Sequence, residues 1–258
     1  AIVPILYTIG VTSAVVVLGT FSISDKPFKL PSRSFKTYIE LLKNSSIVGF
    51  GGFFSRVVQL LPPILIGIFL SLKDAGVYGA AFRIIIIAMM LDRIFVNLLL
   101  PNLASLWSSN RENAIQRINM VIRLIIVGGT ILSLLTAINA EQIILLLYGV
   151  DFAGSIEILQ ILSLFILLTF LNSLFSFGLI ATNNDKKYFW ATSLGGTISA
   201  ILIVLFASFG DSQMVAFSVL LSEFVLATSS YYWFRKIVPI KILRSLLIIF
   251  TTGSVLFT

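Results

Sequence analysis

The chain of 258 residues contains no cysteine and no histidine. Thiolate and imidazole chemistry, haem ligation and the common zinc sites are excluded together. Charge is also scarce, at 11% of residues against 58% hydrophobic, and the mean hydropathy is +1.04. A water-soluble domain of this length could not keep so much apolar side chain off its surface. No glycine-rich phosphate loop or Walker-type run is present, and no two carboxylates fall on one face at neighbouring positions. ATP hydrolysis and paired-carboxylate catalysis are therefore not expected, and neither is any cofactor or metal. The net charge of +7 is spread over short loops and several apolar stretches, with no single basic face, which excludes nucleic acid as a partner.

What is abundant is long apolar sequence. A membrane-spanning helix needs about 20 apolar residues at about 1.5 Å each. By that measure the chain offers eight: Ala1 to Ile23, Ser45 to Leu72, Ala75 to Leu106, Ile118 to Ile138, Ile156 to Ile180, Phe189 to Phe209, Met214 to Phe234 and Ile240 to Phe257. The runs are too long and too uniformly apolar for barrel strands, and backbone in lipid must satisfy its own hydrogen bonds. The fold class is all-α integral membrane, a multi-helix bundle. Ala1 to Ile23 lacks the basic start and small-residue cleavage site of a signal peptide, so it counts as a span. The chain opens in one apolar run and closes in another, and reads as a fragment of a longer protein.

The cations fix an orientation. Lys26, Lys29, Arg33, Lys36 and Lys43 follow the first stretch, Arg111 and Arg117 the third, Lys186 and Lys187 the fifth, and Arg235, Lys236, Lys241 and Arg244 the seventh. The alternate gaps hold only Lys73, with Asp74, Glu141, Asp151 and Asp211. Basic loops resist translocation, so the first set is assigned to the cytoplasm. SDKPFKLPSRSFK, polar, basic and twice broken by proline, makes 24–44 a cytoplasmic linker between two bundles. The linker divides the span 1–23 from the six spans of 45–234, and 235–258 is a loop with part of a further apolar stretch. The second and third spans exceed the bilayer and should project past it as a hairpin, with a kink at Pro62 and Pro63. AEQIILLLYG, ended by Gly149, predicts a short helix at the outer interface.

Arg56, Arg83, Asp92, Arg93 and Glu223 fall within spans. Each costs at least about 2.5 to 3.5 kcal/mol near a helix centre, so each needs a partner, water or a function. Steps of about 100° place Arg83, Arg93 and Asn97 in one sector, with Gly76, Gly79 and Met90, while Asp92 falls about 180° from Arg83. Arg83 and Arg93 are roughly 15 Å apart along the axis, like stations on a path. Ser45, Gly49, Gly52, Arg56, Gln59 and Pro63 form a comparable stripe. Pairing with Glu223 or snorkelling accounts equally well for Arg56, and pairing with Asp92 for Arg93. Glu223, alone in VLLSEFVLA, either binds a proton or Na⁺ or pairs with an arginine. The candidate substrate cavity is thus Arg83, Arg56, Arg93, Gln59 and Asn97, with Glu223 for ion coupling.

The run ILIGIFLSLKDAGVYGAAFRIIIIAMMLDRIFVNLLLPNLASL, from Ile64, resembles the Wzx-type polysaccharide flippases, of the same superfamily as the lipid II flippases and the MATE drug exporters. Its turn followed by Gly76, Tyr78, Ala80, Ala81 and Arg83, and its helix running to Pro101, carry the likeness. LLYGVDFAGSIEILQIL and NNDKKYFW resemble the turns around the tenth helix of that family. The resemblance implies helix six to about helix thirteen of a two-lobe, fourteen-helix transporter in the bacterial cytoplasmic membrane. It implies alternating access around a cationic cavity, a lipid-linked oligosaccharide as substrate, a coupling ion (H⁺ or Na⁺), and a polysaccharide polymerase and chain-length regulator as partners. Arg83 matches the family's helix-eight arginine, and its replacement by alanine is expected to abolish export. The alternatives are a MATE-like ion-coupled small-molecule exporter and a membrane-embedded polymerase; the leading reading is not an enzyme.

Overall fold

The computed structural model describes residues 35–240, apart from the side chains of residues 35–38, 40–45, 47 and 55–58. Residues 1–43 and 44–258 form separate compact units, and the second holds nearly everything described. Its helices are α1 (Phe35–Phe69), α2 (Leu72–Ser109), α3 (Arg111–Ile138), α4 (Ala140–Tyr148), α5 (Ser155–Ala181), α6 (Asp185–Ala207) and α7 (Ser212–Phe234). All except α4 contain a stretch long and apolar enough to cross a membrane. The expected first span and linker residues 24–34 lie outside the described residues, as does the expected eighth span beyond Ile240. Helix α1 begins at Phe35, ten residues before the expected start of the second span at Ser45. The run FKTYIELLKNSS lacks glycine and proline, so nothing in it stops a helix from continuing into the basic segment. Pro62 and Pro63 both lie inside α1.

Local chemistry sets the turns. Ser71 caps α2 by accepting the Asp74 amide at 3.1 Å, and its hydroxyl donates to Asp74 Oδ2 at 2.5 Å. Asn110 accepts the Asn113 amide and so opens α3 directly behind α2. At the end of α5, Asn183 takes φ of 58°. The Asn184 amide then donates to Leu179 O at 2.8 Å and the Asn183 amide to Ile180 O at 2.9 Å. This is a Schellman ending with asparagine in place of the usual glycine, and it reverses the chain into α6 within three residues. Gly149, at φ of 78°, ends the short helix α4 where the sequence placed its stop.

Helix α2, at 38 residues, is about 57 Å long, well beyond the hydrocarbon thickness of about 30 Å. Helix α5 is the central helix, packed against α2, α3, α6 and α7. One apolar cluster joins Tyr78, Phe82, Ile144, Phe165 and Val219; a second, toward the basic end of the bundle, joins Ile122, Phe175, Leu179 and Phe234. Outward-facing leucine, isoleucine and phenylalanine side chains, such as Ile87, Leu98, Ile131, Leu164, Ile201 and Phe224, cover the periphery. In water such a surface would aggregate; in a bilayer it is the solvent-matched face.

Helices α6 and α7 lie very close. Ser199 Oγ donates to Ser222 O at 3.2 Å, and Ser222 Oγ reaches Ser199 O at 3.4 Å. A Cβ on Gly195 would sit 2.7 Å from Leu226 Cδ2 and 3.1 Å from its Cα, and Leu226 is fully buried. Alanine at Gly195 would gain about 0.8–1.0 kcal/mol of helix propensity. Overpacking against backbone costs about 1–3 kcal/mol and outweighs it. The Gly195→Ala variant is expected to melt earlier in detergent than the wild type. A melting temperature that stays level or rises would refute this closeness.

Candidate functional site

Polar groups meet where the two apolar clusters adjoin. Asn172 Nδ2 donates to Glu223 Oε1 at 2.9 Å. The Oδ1 of the same amide faces the hydroxyls of Ser176 and Ser230, each at 3.0 Å, and these are 2.9 Å from each other. Oxygen toward the hydroxyls and nitrogen toward the carboxyl is the amide orientation that gives every atom a partner. Asp92 turns inward from α2 and accepts the Ser173 hydroxyl at 2.6 Å. Asp92, Asn172, Ser176, Glu223 and Ser230 are all buried. Helices α2, α5 and α7 thus present polar side chains to a common space, to which α1 adds Gln59 and α6 adds Tyr188.

That space is a cavity of about 430 Å³. Its polar wall includes Gln59 from α1, Asp92, Arg93 and Asn97 from α2, Asn172 from α5, Tyr188 from α6 and Glu223 from α7. Of the sequence-derived candidates it brings together Arg93, Gln59, Asn97 and Glu223. Arg83 is exposed on α2 and is not among the lining residues. The side chain of Arg56 lies outside the described residues; by helical spacing Arg56 shares a face of α1 with Gly52 and Gln59, both of which line the cavity. Glu223 takes its described hydrogen bond from Asn172, an amide, where the sequence offered an arginine.

The described lining holds one guanidinium against two carboxyls, so it carries no cationic excess. Its chemistry is mixed: amides and a phenol that both donate and accept, carboxyls that accept, and an arginine that donates in a fork. Such a wall suits a hydroxyl-rich ligand. A larger groove of about 550 Å³ lies between α5, α6 and α7, but leucines, phenylalanines and Met214 line it, with no charge to orient a polar ligand.

Sequence reading left Asn172, Ser173 and Tyr188 out of the site, and did not single out Arg123, an exposed cation within the apolar part of α3. A signal for the first two existed. Thr169, Asn172, Ser173 and Ser176 recur at helical spacing in an otherwise apolar run, marking a polar stripe on one face of α5. Tyr188 sits in the first turn of α6, directly after Lys186 and Lys187, and gave no periodic sign.

No family model, curated protein or solved structure matches the chain. The helices and their packing make it a multi-span α-helical membrane protein with a transporter-like bundle enclosing a polar cavity.

Proposed function

We propose that this bundle belongs to a non-enzymatic flippase, which moves an undecaprenyl-pyrophosphate-linked oligosaccharide from the inner to the outer leaflet of a bacterial cytoplasmic membrane by alternating access. The observation that carries the reading is the mixed hydrogen-bonding wall of the cavity. Sugar hydroxyls donate and accept, and Gln59, Asn97, Asn172 and Tyr188 answer both needs. In this reading Arg93 takes a pyrophosphate oxygen pair through its planar fork. The polyprenyl tail stays in lipid. Glu223, held by Asn172, is the group through which a coupling ion (H⁺ or Na⁺) acts, and a polysaccharide polymerase and chain-length regulator receive the product.

A second reading, an ion-coupled exporter of small cations, is favoured by the two carboxyls of Asp92 and Glu223 facing one described arginine. The two separate in the host. Deleting the gene and treating spheroplasts with a membrane-impermeant sugar-modifying reagent is expected to reveal unpolymerised lipid-linked units that accumulate shielded on the inner side. Normal labelling combined with a new sensitivity to cationic compounds would replace the flippase with the exporter.

A further inference from the structure

Apart from the central cavity, the basic end of the bundle holds a second polar pocket, of about 390 Å³, between the first turns of α3 and the turn after α7. Gln116, Asn119 and Arg123 line it at spacings of three and four, hence on one face of α3, together with Glu112, Met120 and Pro239. Asn119 Nδ2 donates to Ile115 O at 2.9 Å and to Pro239 O at 3.3 Å, so the α3 wall is tied to the segment that follows α7. Ile118, Val121 and Ile122 of the same helix are buried inward, whereas Met120 and Leu124 point outward with more than half their surface exposed. The pocket therefore joins a polar wall to an apolar flank at the level where α3 becomes a membrane helix.

Aromatic and cationic side chains mark that level. Arg235 lies 5.7 Å and 5.6 Å from the rings of Tyr231 and Tyr232. Lys236 Nζ is 4.0 Å from the Tyr232 ring and 4.9 Å from that of Trp233, and donates to Tyr232 Oη at 2.9 Å. Arg111 sits 4.4 Å above Trp107. Amphipathic rings with adjoining cations belong at the headgroup layer. Phe234, fully buried against Phe175, anchors this turn.

We propose that this pocket is a binding site for one anionic phospholipid, with phosphatidylglycerol as the fitting headgroup. The phosphate meets Arg123, the glycerol hydroxyls meet Gln116 and Glu112, and an acyl chain runs along Met120 and Leu124. Surrounding cations at Arg111, Arg117, Arg235 and Lys236 raise the local concentration of anionic lipid. Glu112 within the pocket disfavours a headgroup of higher negative charge.

The test is native mass spectrometry of the protein in detergent, titrated with phosphatidylglycerol, phosphatidylethanolamine and phosphatidylcholine of identical acyl chains. Phosphatidylglycerol is expected to be retained about fivefold more tightly than the others, and Arg123→Gln to erase the preference. Gln116→Leu, at an exposed position, provides a second variant whose folding is not at issue and should weaken retention of phosphatidylglycerol alone. Equal retention of the three lipids, or a preference that survives both substitutions, would overturn the site. Displacement of the lipid by millimolar inorganic phosphate would also overturn it, assigning the pocket to a soluble anion.

Discussion

Replacing Asn172 with leucine is expected to destabilise the bundle by about 3 kcal/mol or more, the scale of a buried charge stripped of its partner. The cost falls on one residue. Ser176 and Ser230 lose the Asn172 oxygen but still have each other at 2.9 Å, whereas Glu223 loses the amide that holds Oε1. Neutral hydrogen bonds between membrane helices average only about 0.6 kcal/mol, so the size of the loss distinguishes an ionised Glu223 from a neutral one. Removing both polar groups in Asn172→Leu/Glu223→Leu should restore most of the stability, because the stranded carboxyl is gone and only one hydroxyl hydrogen of Ser176 and Ser230 has to find a new acceptor. Denaturation in detergent, followed as a double-mutant cycle, reads all three variants. A single-variant loss near 0.6 kcal/mol with no recovery in the double variant would show that the pair carries no charge-dependent stabilisation.

The second large effect is on transport. Arg93→Ala is expected to reduce appearance of lipid-linked oligosaccharide at the outer face about 100-fold while leaving membrane insertion intact. A hydrogen bond to a charged group is worth about 1.5–3 kcal/mol, and the upper end of that range corresponds to about this factor. Arg93→Lys should recover only part of it, since an ammonium cannot form the two parallel bonds of a guanidinium. The contrast with Arg83 is informative. Its sequence position made it the first choice, yet of these two exposed arginines only Arg93 lines the cavity. The geometry ranks Arg93→Ala as the more damaging of the two. Loss of transport in Arg83→Ala together with normal transport in Arg93→Ala would move the site out of this cavity.

The parts of the fold that could be read in advance were those governed by local rules. Apolar run length gave the second to seventh spans, and Gly149 gave the end of α4. The upstream extension of α1 escaped because the basic character of Lys36 and Lys43 was weighted above the helix-forming run around them. At the site, residues on one helix were legible as stripes: Arg93 with Asn97, and Gln59 with Gly52. What periodicity cannot supply is which stripes face one another. The inward turn of Asp92 onto Ser173, and the amide of Asn172 across from Glu223, depend on how α5 sits against α2 and α7. Helical angle separated Asp92 from Arg83 correctly as a difference in direction, but the direction that leads inward is a property of the packed bundle.

The paired bonds between Ser199 and Ser222 bear on how any motion would be transmitted. Each serine hydroxyl reaches the backbone of the other helix, so sliding α6 past α7 by a single turn, about 5.4 Å, would break both contacts and drive Leu226 across the backbone at Gly195. The pair therefore behaves as a rod of fixed length. A displacement of the Ala207–Ser212 turn would then carry α6 and α7 together, in register.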